Sequence, residues 1–282
     1  MANHDQCQGK EFHLPADILE KLEIAAVSSG CTPDEFIAKS LDAALREQTR
    51  ENSVYLSVPI NAIVEGFYVE QTTIGDIKTH GDFGLGTFNY LDGEMILLDG
   101  SAYQITANGE VKTVPDEEQT PFACVTYFHP DTWDDISERI PAADVFDLLN
   151  TLIPSPNMLY ALRIDGIFEY VKTRAVPKTD NYLPLVEAAK NQVVFEFFHV
   201  EGSLAGFFTP AFMASMNAPG YHLHMLTADR RHGGHLMECR IGRAKIGIQH
   251  VPKLEVGLPV TLDYLTADFN RDTKKDLDKA ER

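Results

Sequence analysis

Cysteine is scarce and scattered: four residues in 282, at positions 7, 31, 124 and 239, with no C-x-x-C spacing among them. That excludes a thiolate zinc site and argues against a disulfide framework in a chain of this size. A bound metal would have to be held by imidazole or carboxylate. Basic residues are also in short supply, 24 Lys and Arg against 42 Asp and Glu, for a formal charge of -18. A field of that sign repels phosphate backbones and anionic lipid, which sets nucleic acid and membrane surfaces aside as partners. No apolar run reaches the ~18–20 residues of a membrane span. Met1 to Lys10 lack the apolar core of a signal peptide, so the expected location is the cytoplasm. Also missing is a glycine-rich phosphate loop in a strand–loop–helix setting; Gly81 to Gly86 contain glycines without that context. What is present, 44% hydrophobic and 23% charged residues, is the composition of an ordinary folded protein.

Three segments are expected along the chain. Residues 1–52 read as a small helical extension. Ile18, Leu19, Leu22, Ala25 and Ala26 recur at helical spacing and Gly30 offers a stop. Thr32-Pro33-Asp34-Glu35 then supplies a cap, a proline suited to the first helical position and a capping-box glutamate. With the short extended piece Glu11–Leu14 in front, the order strand, helix, helix resembles the ribbon-helix-helix module of small dimeric repressors. Residues 1–50 carry 9 acids against 5 bases, however, so pairing of chains is the expected role and DNA binding is not.

The rest reads as β-rich α+β: a mixed sheet over residues 53–178 and an antiparallel sheet over 179–282. Short β-branched and aromatic runs cover Val54–Ile60, Met95–Leu98, Ala102–Thr106, Cys124–Phe128, Leu159–Ile164, Phe168–Thr173 and Val193–Val200. Turn dipeptides such as Asp99-Gly100 and Asp165-Gly166 separate them. Helical segments are expected over Ile74–His80, Ala142–Leu152 and Tyr182–Asn191, with a charged terminal helix or tail over Asp268–Arg282.

The stretch richest in chemistry is Tyr221-His222-Leu223-His224, followed by a polar turn and His235. Two residues apart on a strand, His222 and His224 project from one face. A symmetric hairpin centred between Asp229 and Arg230 places His235 opposite His224, with Cβ atoms about 4.5–5.5 Å apart. Three imidazoles then converge, a set suited to zinc with positions left for water or substrate. His232 falls in the turn and is read as surface. His80, His129, His199 and His250 have no partner at metal spacing.

At these residues the sequence resembles the bacterial α-acetolactate decarboxylases. The likeness is carried by His80-Gly81-Asp82-Phe83-Gly84-Leu85-Gly86-Thr87-Phe88, by Leu91-Asp92-Gly93-Glu94-Met95, and by Gly206-Phe207-Phe208-Thr209-Pro210 leading into Pro219 to His224 and Gly233-Gly234-His235. It extends over about residues 54–282 and leaves out the helical extension. The resemblance implies a Zn²⁺ enzyme that converts 2-acetolactate to acetoin and carbon dioxide through a metal-stabilised enediolate. That step feeds acetoin and butanediol formation. It implies His222, His224 and His235 as metal ligands, Arg174 as the site arginine, Glu94 as its acidic partner, Thr87 as the site threonine, and Glu281 as a glutamate returned by the C-terminal tail. A homodimer is the default assembly. Two other readings fit the residues alone: a zinc-dependent hydrolase of a small substrate, and a non-catalytic metabolite sensor dimerised through its N-terminal module.

Overall fold

The structure is a computed structural model and describes residues 13–49, 52–271 and 273–281. The chain divides into two compact units after Glu51.

The first unit is a helical hairpin of α1 (Ala16–Ser28) and α2 (Pro33–Thr49). Its punctuation follows the sequence. Gly30 takes a φ of 67°, a left-handed stop that lets the Cys31 amide donate back to the Ala26 carbonyl at 3.1 Å. Thr32 and Glu35 then close the capping box, the Thr32 amide donating to the Glu35 carboxylate at 2.9 Å and the Glu35 amide to the Thr32 hydroxyl at 3.3 Å. Of the extended piece expected over Glu11–Leu14, Glu11 and Phe12 lie outside the described residues; His13 and Leu14 are not in a strand.

The second unit contains two sheets. The seven-stranded sheet is built from β1 (Ser53–Leu56), β2 (Phe83–Thr87), β3 (Glu94–Leu98), β4 (Ser101–Ile105), β5 (Val111–Thr113), β6 (Phe122–Thr126) and β12 (Lys253–Val256), in the order β12-β1-β6-β2-β3-β4-β5. It is mixed, because β12 runs parallel to β1 while the other neighbours are antiparallel. The second sheet is antiparallel and has the order β10-β9-β8-β11-β7, from β7 (Thr132–Ile136), β8 (Leu159–Ala175), β9 (Val193–Thr209), β10 (Gly220–Thr227) and β11 (Gly233–Val251). The α+β class expected from the sequence, one mixed and one antiparallel sheet after a helical module, is the observed one.

Two details differ from the sequence reading. Asp165-Gly166 is no turn; β8 runs through it without a break. Gly166 is needed because β11 passes so close that an added Cβ would sit 2.3 Å from the Arg243 carbonyl oxygen. Inside a strand, glycine often marks a close approach of another backbone. Second, the sheets do not part at residue 178. β8 and β9 lie on either side of it and are hydrogen-bonded neighbours, and β12 crosses back to the first sheet.

The sheets meet through a common core of Phe83, Leu85, Ile96 and Ile105 from the first and Ala161, Ala205, Phe207 and Leu226 from the second. The outer faces are covered by short helices. α4 (Ile74–Lys78), capped by Thr73 and Asp76, buries Ile74 and Ile77 on the first sheet. α5 (Val145–Leu152) buries Val145 and Leu149 on the second.

Three further elements close one end of this core. Ile60, read as the end of a strand, instead opens α3 (Ile60–Val64), because Pro59 starts a helix in place of donating to a ladder. α6 (Leu185–Ala188) is the short form of the helix expected over Tyr182–Asn191. After a short α7 (Leu262–Thr266), the charged tail forms α8 (Lys274–Glu281), which buries Leu277 and Ala280 in the shared core and packs against α6. It is tied to α3 by Thr273, whose hydroxyl donates to Asn61 at 2.8 Å, and by Arg271, which pairs with Glu65 at 2.7 Å and with Asp276. No helix of the described residues is long and apolar enough to cross a membrane.

Candidate metal centre and active site

The β10–β11 hairpin forms with His224 directly opposite His235, Met225 opposite Gly234 and Leu226 opposite Gly233. That is the register required by a turn centred between Asp229 and Arg230. His222 and His224, alternate residues of β10, point the same way, and the three rings lie 4.9–5.3 Å apart, centroid to centroid. One nitrogen from each ring can be chosen so that all three lie within 4.8 Å of one another. All three side chains are buried. Among the described residues this is the one cluster of metal-ligating side chains with such geometry.

The surroundings favour neutral, oriented imidazoles. His224 Nδ1 lies 2.7 Å from the backbone carbonyl of Met95 on β3. A carbonyl only accepts, so Nδ1 carries the proton and the lone pair is left on Nε2, the arrangement by which an outer hydrogen bond fixes a ligand tautomer. The His222 pKa is pushed down to about 3, first by burial and then by the charge of Arg174. A ring that stays unprotonated at neutral pH is a ring able to bind a cation.

The other expected site residues come from neighbouring strands. Arg174, near the end of β8, is the cross-strand partner of His235 and is buried. Glu94, the first residue of β3, brings its carboxylate to 3.6 Å from His224 Nε2. Thr87, at the end of β2, faces Glu94 across the ladder, and its hydroxyl donates to the Gly93 carbonyl at 2.7 Å. Thr87 therefore holds the turn that leads into Glu94. Glu281 is the last residue of α8, and its side chain lies outside the described residues. His232 is exposed, with its ring 5.1 Å from that of Phe197.

The three histidines, Arg174, Glu94 and Thr87 line one recess with a cavity volume of about 50 Å³. Its polar floor is the three histidines with Arg174, Glu94 and Thr87; its wall is Ile60, Ile63, Leu91, Phe122, Val176 and Leu185. The wall escaped the sequence reading, because apolar residues spread over residues 60–185 have no spacing that sets them apart from core. The Met95 carbonyl escaped too: a backbone group has no sequence signature.

Three buried imidazoles beside an open cavity, backed by an arginine and a carboxylate, define a site that can hold a metal ion and leave room for a small anionic molecule next to it. The chain belongs to the alpha-acetolactate decarboxylase family, whose sequence pattern matches residues 54–271. It is 39% identical over 230 residues to the alpha-acetolactate decarboxylase of Methanosarcina mazei, covering 81% of this chain and 80% of that protein. It is 36% identical over 244 residues to the enzyme of the same name from Klebsiella aerogenes, covering 86% and 94%. The crystal structure of acetolactate decarboxylase from Bacillus subtilis subspecies spizizenii superposes with a TM-score of 0.79 at 34% identity, covering 81% of this chain and all of the other. Like its relatives, the chain is an enzyme of the carboxy-lyase class.

Proposed function

We propose that the protein decarboxylates 2-acetolactate to acetoin and carbon dioxide, with zinc held by His222, His224 and His235. The observation that carries this is the convergence of those three histidines with Arg174 and Glu94 in a single recess of a chain belonging to this family. The donor set suits the ion: three neutral imidazoles with an open side are a common catalytic zinc arrangement.

The substrate is a β-keto acid with a hydroxyl on the carbon that bears the carboxylate. Cleavage of the C–CO₂⁻ bond leaves its electron pair as an enediolate, which takes up one proton at carbon to give acetoin. When bound, the ion supplies Lewis-acid stabilisation of the negative charge that develops on the oxygens. The protein supplies the rest. Arg174 presents a planar guanidinium fork suited to a carboxylate, so it orients the group to be lost. Glu94, at the edge of the imidazole cluster, is placed to hand a proton to the nascent carbanion. Thr87 keeps Glu94 in position through the Gly93 carbonyl. Glu281, carried by a helix packed on the pocket wall, joins Glu94 in managing that proton. The hydrophobic wall excludes water from the charge-separated state.

The reaction runs in the cytoplasm as the step that feeds acetoin and butanediol formation. The enzyme works as a homodimer joined through the helical hairpin, which leaves Ile18, Leu19, Ile24, Val27 and Leu41 exposed. Product analysis tests the proposal. The purified chain incubated with 2-acetolactate should release equal amounts of carbon dioxide and acetoin, consume one proton per turnover, and stop on chelation. Hydrolysis products, or binding of acetolactate without turnover, would overturn it.

A further inference from the structure

In the proposed reaction the carboxylate, hydroxyl and ketone of the substrate fall to the polar floor of the recess. Its two methyl groups are left to the wall, where only volume can discriminate. One wall residue differs from the others in its backbone. Leu91 has a φ of 53°, directly after Tyr90 at 66°. Consecutive left-handed residues that are not glycine are strained, and such strain persists only where the surroundings over-determine it. Among the described residues, Leu91 is the single side chain lining the recess from such a backbone.

The over-determination is visible. The Tyr90 amide donates to the Tyr68 carbonyl at 2.7 Å, and the Tyr90 carbonyl accepts from the Thr179 amide at 2.8 Å. Lys178 lies over the Tyr90 ring, 5.2 Å from its centroid, and reaches Asp92 at 3.9 Å. On the other side the Asn89 side chain grips the Glu70 backbone: its Oδ1 accepts from the Glu70 amide at 3.1 Å and its Nδ2 donates to the Glu70 carbonyl at 2.9 Å. The turn is thus clasped by the loop that follows Arg174 and by the segment before α4. It cannot draw back, and Leu91 is held in the recess with 4% of its surface exposed.

We infer that Leu91, pressed into the recess by this strained turn, sets the largest alkyl group the substrate can carry on its hydroxyl-bearing carbon. The inference rests on the decarboxylase reading. The test compares kcat/KM for 2-acetolactate with that for the homologue carrying an ethyl in place of the C2 methyl. The proteins are the metal-loaded wild type and the variants Leu91→Ala, Leu91→Gly and Leu91→Phe. Glycine opens the same space as alanine and relieves the strain, so it separates lost volume from a disturbed turn.

One methylene against a hydrophobic wall is worth about 10- to 200-fold in discrimination. Both small variants should therefore raise the ethyl-to-methyl ratio at least about tenfold, and Leu91→Phe should lower it, with metal content unchanged. Ratios within twofold of wild type in all three variants, whatever the absolute rates, would overturn the inference and leave the decarboxylase reading intact. Wild-type protein that holds metal and turns over neither compound would overturn the decarboxylase reading itself.

Discussion

Thr87 offers the sharpest way to separate a positioning residue from a reacting one. Thr87→Val keeps the shape of the side chain and removes the hydroxyl that donates to the Gly93 carbonyl at 2.7 Å. The turn at Gly93 is tight: its φ is 84°, and a Cβ there would lie 2.3 Å from the Ile105 carbonyl oxygen. A neutral hydrogen bond contributes about 1 kcal/mol net, and a buried acceptor left unsatisfied costs about 1–3 kcal/mol. The unfolding free energy should therefore fall by ~1–3 kcal/mol in urea titrations. Glu94 follows Gly93 directly, and a displacement near 1 Å in a catalytic group can reduce a rate by about a hundredfold. The variant should lose roughly ten- to a hundredfold in kcat while retaining its metal, since Thr87 is not a member of the imidazole cluster. Thr87→Ser, which keeps the donor, should recover most of both losses. A Thr87→Val protein as stable and as fast as wild type, or a Thr87→Ser protein equally impaired, would show that the Thr87 hydroxyl does not position Glu94.

Three other outcomes follow from the same geometry. Arg174→Ala should keep its metal and lose turnover by at least about a hundredfold, and Arg174→Lys should restore little, because an ammonium lacks the fork; steady-state rates beside metal analysis decide it. In metal-free protein, the unfolded chain protonates position 222 as pH falls below its ordinary 6.5, while folded His222 does so only near 3. This contribution to stability is complete above pH 6.5 and is lost as pH falls toward 3, by about 2 kcal/mol at pH 5. Urea titrations with chelator present should show wild type losing that much more than His222→Gln between pH 7.5 and pH 5. Removing residues 1–51 should change the sedimentation coefficient by more than the lost mass while kcat stays within about twofold.

The histidine cluster was legible because its signal is local. Strand periodicity puts His222 and His224 on one face, and the turn sets the register that brings in His235, so spacing within fourteen residues gathers the three imidazoles. Arg174 and Glu94 were not legible that way. They reach the cluster only because β8 pairs with β11 and because β3 passes beneath the hairpin, long-range pairings with no sequence period; the family resemblance alone pointed to them. The helical hairpin was readable down to its caps, since Gly30, Thr32, Pro33 and Glu35 act on their immediate neighbours. Gly166 misled, because a close crossing by a distant strand and a turn call for the same residue. The division near residue 178 misled for a related reason: a loop after β8 resembles a domain boundary until β9 folds back to pair with β8.

The decisive measurement is metal content of the purified chain, wild type beside His235→Ala. Wild type should carry one zinc per chain, and the variant should be folded with little bound metal and no decarboxylation. A variant that still held one ion per chain and formed acetoin at the wild-type rate would contradict a metal site at His222, His224 and His235.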